Sequence, residues 1–101
     1  MKSDVPLYGL NIKMRVVLIE AERAYLEHAK VESFIVHTVD GIHSPGSLHP
    51  YGYAIDYRTN FLTADQKKNI FDDLVKSLPK GFDVVWHETH IHVEYDDAKK
   101  L

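Results

Sequence analysis

Two short stretches carry most of the chemistry available to this chain. One is Ser47-Leu48-His49-Pro50-Tyr51-Gly52-Tyr53-Ala54-Ile55-Asp56, and the other is His90-Ile91-His92-Val93-Glu94. Two imidazoles and a carboxylate drawn from them would hold a zinc ion by three protein groups. That set leaves a fourth position open for water, the arrangement of a catalytic rather than a structural zinc site.

The spacing makes this meeting geometrically reasonable. Side chains alternate between faces along a strand, so His90, His92 and Glu94 share one face of the last strand, and Ile91, Val93 and Tyr95 the other. By the same rule Asp56 lies with Ala54 and Arg58, opposite Tyr53, Ile55 and Tyr57. Burying the apolar sets sends Asp56 and His92 to one open side of a sheet. His49 comes seven positions before Asp56, in a loop that Gly52 allows to turn sharply. Imidazole and carboxylate together suit zinc. A lone strand histidine is more often a hydrogen-bonded structural residue. The pattern alone therefore leaves a metal site and a set of structural histidines both open.

The elements that would position these residues follow from periodicity. Leu10, Met14, Val17, Leu18, Ala21 and Tyr25 recur at three- and four-residue steps, predicting a helix over 10–28. Residues 33–38 are aromatic and β-branched and read as a buried strand. Asp40-Gly41 and Ser44-Pro45-Gly46 mark a loop over 39–48, and 53–58 alternates as a second strand. Thr63-Ala64-Asp65-Gln66 has the form of a capping box, predicting a helix to about 78 with Ile70, Phe71, Leu74 and Leu78 inward. Pro79-Lys80-Gly81 ends it. Strands over 82–86 and 90–95 would then pair through a tight turn at His87, Glu88 and Thr89. The order α-β-β-α-β-β predicts an α+β domain, a small, mainly antiparallel sheet with two main helices packed on it.

Composition narrows the class. A chain of 101 residues suffices for one domain, 1–101, with one core. Lys and Arg number 12 against 15 Asp and Glu, for a net charge of −3. That mixture lacks the basic stripe of a nucleic-acid binder. No cysteine is present, so neither disulfides nor thiolate zinc sites are available. The start, Met1-Lys2-Ser3-Asp4-Val5-Pro6, does not have the form of a signal peptide, and no apolar run approaches membrane-spanning length. The expectation is a monomer, cytoplasmic at synthesis, without nucleic-acid or membrane partners.

The combination Ser47-x-His49-x-x-Gly52-x-Ala54-x-Asp56 followed by His90-x-His92 resembles the zinc D-alanyl-D-alanine carboxypeptidase family. That family includes D,D-dipeptidases, phage L-alanyl-D-glutamate endolysins and the catalytically silent hedgehog signalling domains. The likeness extends from about Thr38 to Tyr95 and takes in Phe82-Asp83-Val84-Val85. It implies a hedgehog/DD-peptidase-like fold, one zinc per chain, and His49, Asp56 and His92 as its ligands. It also implies His90 beside the metal, donating a hydrogen bond to substrate or to an oxyanion. Ser47 becomes a candidate for binding a substrate carboxylate, or else a hydroxyl satisfying the loop backbone.

The family also uses a glutamate shortly before the last zinc histidine as general base and acid. Glu88 is the candidate here, with His87 as the alternative, since an imidazole with an ordinary pKa of roughly 6.5 can also relay a proton. Glu94 is read as a partner orienting an imidazole or as a surface charge. Arg58 could meet a substrate carboxylate, Asp56 or an ordinary strand-end partner. His43 would line the cleft or be a solvated loop residue. Trp86 and Tyr51 could wall the pocket, although a core role is the leading expectation for Trp86, and no function is assigned to His28 or His37. The activity implied is zinc-dependent hydrolysis of a peptide bond in peptidoglycan stem peptides, using zinc-activated water. The enzyme would be a carboxypeptidase or endopeptidase of D,D or L,D type, reaching the cell wall by another route, as a phage endolysin does. The alternative is a catalytically silent zinc-holding binding or regulatory module.

Overall fold

The computed structural model describes residues 1–7, 10, 12–38 and 54–95. The chain forms β1 (Lys2–Ser3), a 3-10 turn (Ile12–Met14), α1 (Arg15–Ala29), β2 (Phe34–Thr38), β3 (Ala54–Arg58), α2 (Ala64–Ser77), β4 (Phe82–Trp86) and β5 (His90–Tyr95). It is a small α+β domain with two helices and one mixed five-stranded sheet of order β1-β2-β3-β5-β4. The pairings β2–β3, β3–β5 and β4–β5 are antiparallel, while β1 joins β2 in parallel.

Two elements depart from the sequence expectation. β1 was not foreseen, because Lys2 and Ser3 are exposed and show no apolar alternation. The first helix starts later than its periodicity suggests. Residues 12–14 wind as a 3-10 turn, and Met14 at the N-cap makes no side-chain capping bond.

Apolar burial fixes everything else. Met14, Val17, Ala21, Ala24 and Tyr25 of the first helical segment and Ile70 and Leu74 of α2 close over Ile35, Ile55, Tyr57, Ile91, Val93 and Tyr95. Both helices therefore cover the same face of the sheet. The buried Tyr25 hydroxyl donates to the Arg58 carbonyl at 2.7 Å, fixing α1 against the end of β3. α1 ends at Lys30, a left-handed residue (φ 58°) whose N–H bonds the Leu26 carbonyl. The box at the start of α2 is complete: the Gln66 N–H donates to Thr63 Oγ1, and the Thr63 N–H to Gln66 Oε1.

Trp86 corrects the expectation of a core role. It lies on the helix-facing side of β4, opposite Ile91, but at the sheet edge, where it is 46% exposed. Its ring packs edge-on against Phe71 at 5.4 Å and under the Lys67 ammonium at 4.2 Å. Among the described residues, no helix is long and apolar enough to cross a membrane.

Candidate metal centre

β3 and β5 are neighbouring inner strands whose register puts Asp56 opposite His92, and Arg58 opposite His90. Because Ile55, Tyr57, Ile91 and Val93 are sealed in the core, the alternate side chains emerge together on the face turned away from α1 and α2. His92 Nδ1 lies 2.6 Å from Asp56 Oδ1. His90 Nε2 stands 3.9 Å from that same oxygen. On the far side of His92, Nε2 is 3.4 Å from Glu94 Oε1, so both ring nitrogens of His92 face carboxylates.

A third imidazole arrives from β2. His37 pairs with Asp56, and its Nδ1 is 3.7 Å from Asp56 Oδ2. Strict alternation would have put His37 on the same side as the buried Ile35. A register irregularity between Ile35 and His37 inserts one residue and turns His37 to the open face, the re-aiming that a β-bulge produces. Sequence reasoning missed His37 for this reason. Bulges have no simple residue signature, and no feature of residues 33–38 marks one.

The turn after β4 brings a fourth ring. His87 stacks on His90 with centroids 4.5 Å apart and planes 17° from parallel, and meets His92 edge-on at 6.2 Å. Glu88, next in that turn, has an exposed side chain that makes no hydrogen bond or ion pair among the described residues. Its backbone is pinned: the Lys67 ammonium donates to the carbonyls of His87 and Glu88. Burial, opposed by Glu88, depresses the Lys67 pKa.

Electrostatics tie the pair together. Burial works to raise the Asp56 pKa, but the His92 hydrogen bond and the charges of His92, His90 and His37 hold it below the usual carboxylate value. The Asp56 hydrogen bond raises the His92 pKa above its ordinary value against the cost of burial. Asp56 and His92 offer a carboxylate oxygen and an imidazole nitrogen in contact, donor types that zinc accepts, but among the described residues His90 and His37 do not close on them into a three-donor group. Asp56 and His92 are the two predicted ligands that the structure brings together. His49, Ser47, His43 and Tyr51 lie outside the described residues. Arg58 pairs instead with Asp4 at 3.5 Å and stacks over Phe34 at 4.4 Å, the strand-end partnership among its expected roles.

A second cluster was also missed. Glu27, His28 and Asp73 bring possible ligand atoms within 4.8 Å of one another on the outer side of the helix pair. Arg23 already occupies them, with 2.6 and 3.1 Å bonds to the two Asp73 oxygens and 3.0 Å to Glu27. With His28 Nε2 2.7 Å from Asp73, this is an ion-pair staple between α1 and α2. A metal would have to displace the guanidinium.

Comparison with protein-family models, with curated proteins and with solved structures gives no match for this chain.

Proposed function

We propose that the chain is a zinc-dependent peptidase of hedgehog/DD-peptidase-like fold, acting on peptide bonds of peptidoglycan stem peptides. The observation that carries this reading is the contact of Asp56 with His92, on the open face of adjacent strands, with His90 beside them. The peptidoglycan substrate class is supported by the sequence resemblance alone.

Asp56 and His92 would hold the ion together with His49. Zinc, when bound in such a set, supplies Lewis-acid polarisation and a more acidic water. Glu94, on the other nitrogen of His92, fixes the ring's orientation and tautomer. His90, stacked on His87, is held with its Nε2 toward Asp56 and can donate to a substrate carbonyl oxygen at that edge. Proton transfer belongs to the turn over 87–88, whose backbone Lys67 anchors. Between its two side chains, the stacking on His90 favours His87, and the resemblance favours Glu88.

A second reading, a zinc-holding module without catalysis, is favoured by one observation: the Glu88 carboxylate is exposed and makes no hydrogen bond or ion pair among the described residues. Digestion of defined stem peptides with and without a chelator, with products identified by mass spectrometry, separates the two. Chelator-sensitive cleavage supports the peptidase. Bound zinc without any cleavage supports the silent module.

A further inference from the structure

β2 departs from regular pairing at one point. Ile35 lies opposite Tyr57 and His37 opposite Asp56, so Val36 between them has no partner on β3. Such a bulge leaves one residue unpaired and breaks the ladder locally. What the chain gains is at Asp56. Counting from the buried Ile35, plain alternation would point Val36 to the open face beside Asp56 and turn His37 inward. The extra residue puts an imidazole there in place of an isopropyl group. Thr38, opposite Ile55, still returns to the interior.

The two oxygens of Asp56 are divided between its neighbouring strands. Oδ1 faces β5, 2.6 Å from His92 Nδ1 and 3.9 Å from His90 Nε2. Oδ2 faces β2, 3.7 Å from His37 Nδ1. Among the described residues, His37 is the one imidazole or cation on that oxygen. Asp56 is only 19% exposed, so water has little access with which to take its place. The His37 side chain is itself exposed. It adds little to the core, and its position at Asp56 is not explained by packing.

We propose that His37 is a positioning residue for Asp56: its imidazole holds Oδ2 and so presents Oδ1, beside His92, to a metal ion. The role rests on the reading that Asp56 and His92 hold zinc. Carboxylates that ligate metals are themselves held by neighbouring donors, and losing such a partner costs about 10–100-fold in metal affinity. The His37 separation exceeds an ordinary hydrogen bond by about half an ångström, which a small rotation of the exposed ring closes.

Zinc titration of the chelator-treated full chain against a competing metal indicator tests this in wild type, His37→Ala and His37→Asn. Asparagine carries its amide nitrogen the same number of bonds from the backbone as Nδ1, so it keeps the donor without the ring. The expected result is affinity about 10–100-fold weaker in His37→Ala and largely recovered in His37→Asn. Urea unfolding of the metal-free proteins should be nearly unchanged, because the side chain is exposed. Wild-type affinity in His37→Ala overturns the proposal. So does an equal loss in both variants, or a loss matched by a fall in metal-free stability. A wild-type chain that binds no zinc overturns the metal reading itself, and the role of His37 with it.

Discussion

Asp56 and His92 meet at 2.6 Å across the β3–β5 pair, each projecting from a strand whose alternate residues are sealed in the core. Their closeness is a consequence of register. A one-residue slip of β5 would send His92 inward and Val93 outward, and burying a charged imidazole at that cost is strongly disfavoured. The hydrophobic pattern that folds the sheet therefore also assembles the pair.

In chelator-treated protein, pH should modulate what the pair contributes to stability. Asp56 is depressed, so its contribution is present above its ordinary 3.8 and lost as pH falls through the lower folded value. His92 is raised, so its contribution is full below its ordinary 6.5 and lost as pH rises through the higher folded value. Asp56→Asn should cost most between these limits and little well above neutrality. Urea denaturation across pH checks this, and a cost that does not vary with pH contradicts it.

For proton transfer, if the stacking on His90 marks the carrier, His87→Ala should retain zinc and lose about 10²-fold or more in hydrolysis of a defined stem peptide. Glu88→Ala should lose less. The reverse order of losses, with metal retained in both, returns the role to Glu88.

Much of this arrangement was legible in the sequence, and the exceptions have physical causes. Alternation placed Asp56, His90 and His92 on one face because the residues between them are plainly apolar. The β4–β5 hairpin and the Thr63–Gln66 box were readable because both are local. His37 was not, because a bulge reverses its face without marking the sequence. Neither was the staple at Asp73, which depends on how α1 lies against α2. Trp86 was misplaced because its size suggests burial, whereas its position is an edge strand, where it packs against Phe71 and Lys67 and stays 46% exposed.

Lys67 should matter beyond its charge. Lys67→Met keeps the aliphatic stem but leaves the His87 and Glu88 carbonyls without their shared donor and removes the cation from Trp86. A destabilisation of about 1–3 kcal/mol is expected, with a change in Trp86 fluorescence. Unchanged denaturation and emission would show that the ammonium does not anchor the turn.

The α1–α2 staple should govern acid sensitivity. The Arg23 hydrogen bonds, assisted by Ser77 and His28, hold the Asp73 carboxyl well below its ordinary 3.8 despite burial. Its contribution is present above that pH and disappears as pH falls through the folded value. Asp73→Asn should cost about 1 kcal/mol near neutrality, modest because Arg23 is partly solvated. It should also flatten the fall in stability below pH 3.8. Parallel acid-unfolding curves for the two proteins would contradict this.

The central claim, that Asp56 and His92 hold zinc, is tested most directly by metal analysis of the purified chain with zinc titration of the chelated protein and its variants. The account predicts about one zinc per chain, with affinity lost in Asp56→Ala and in His92→Ala while both keep the wild-type circular dichroism spectrum. A wild-type chain that binds no zinc, or variants that bind it as tightly as wild type, would contradict it.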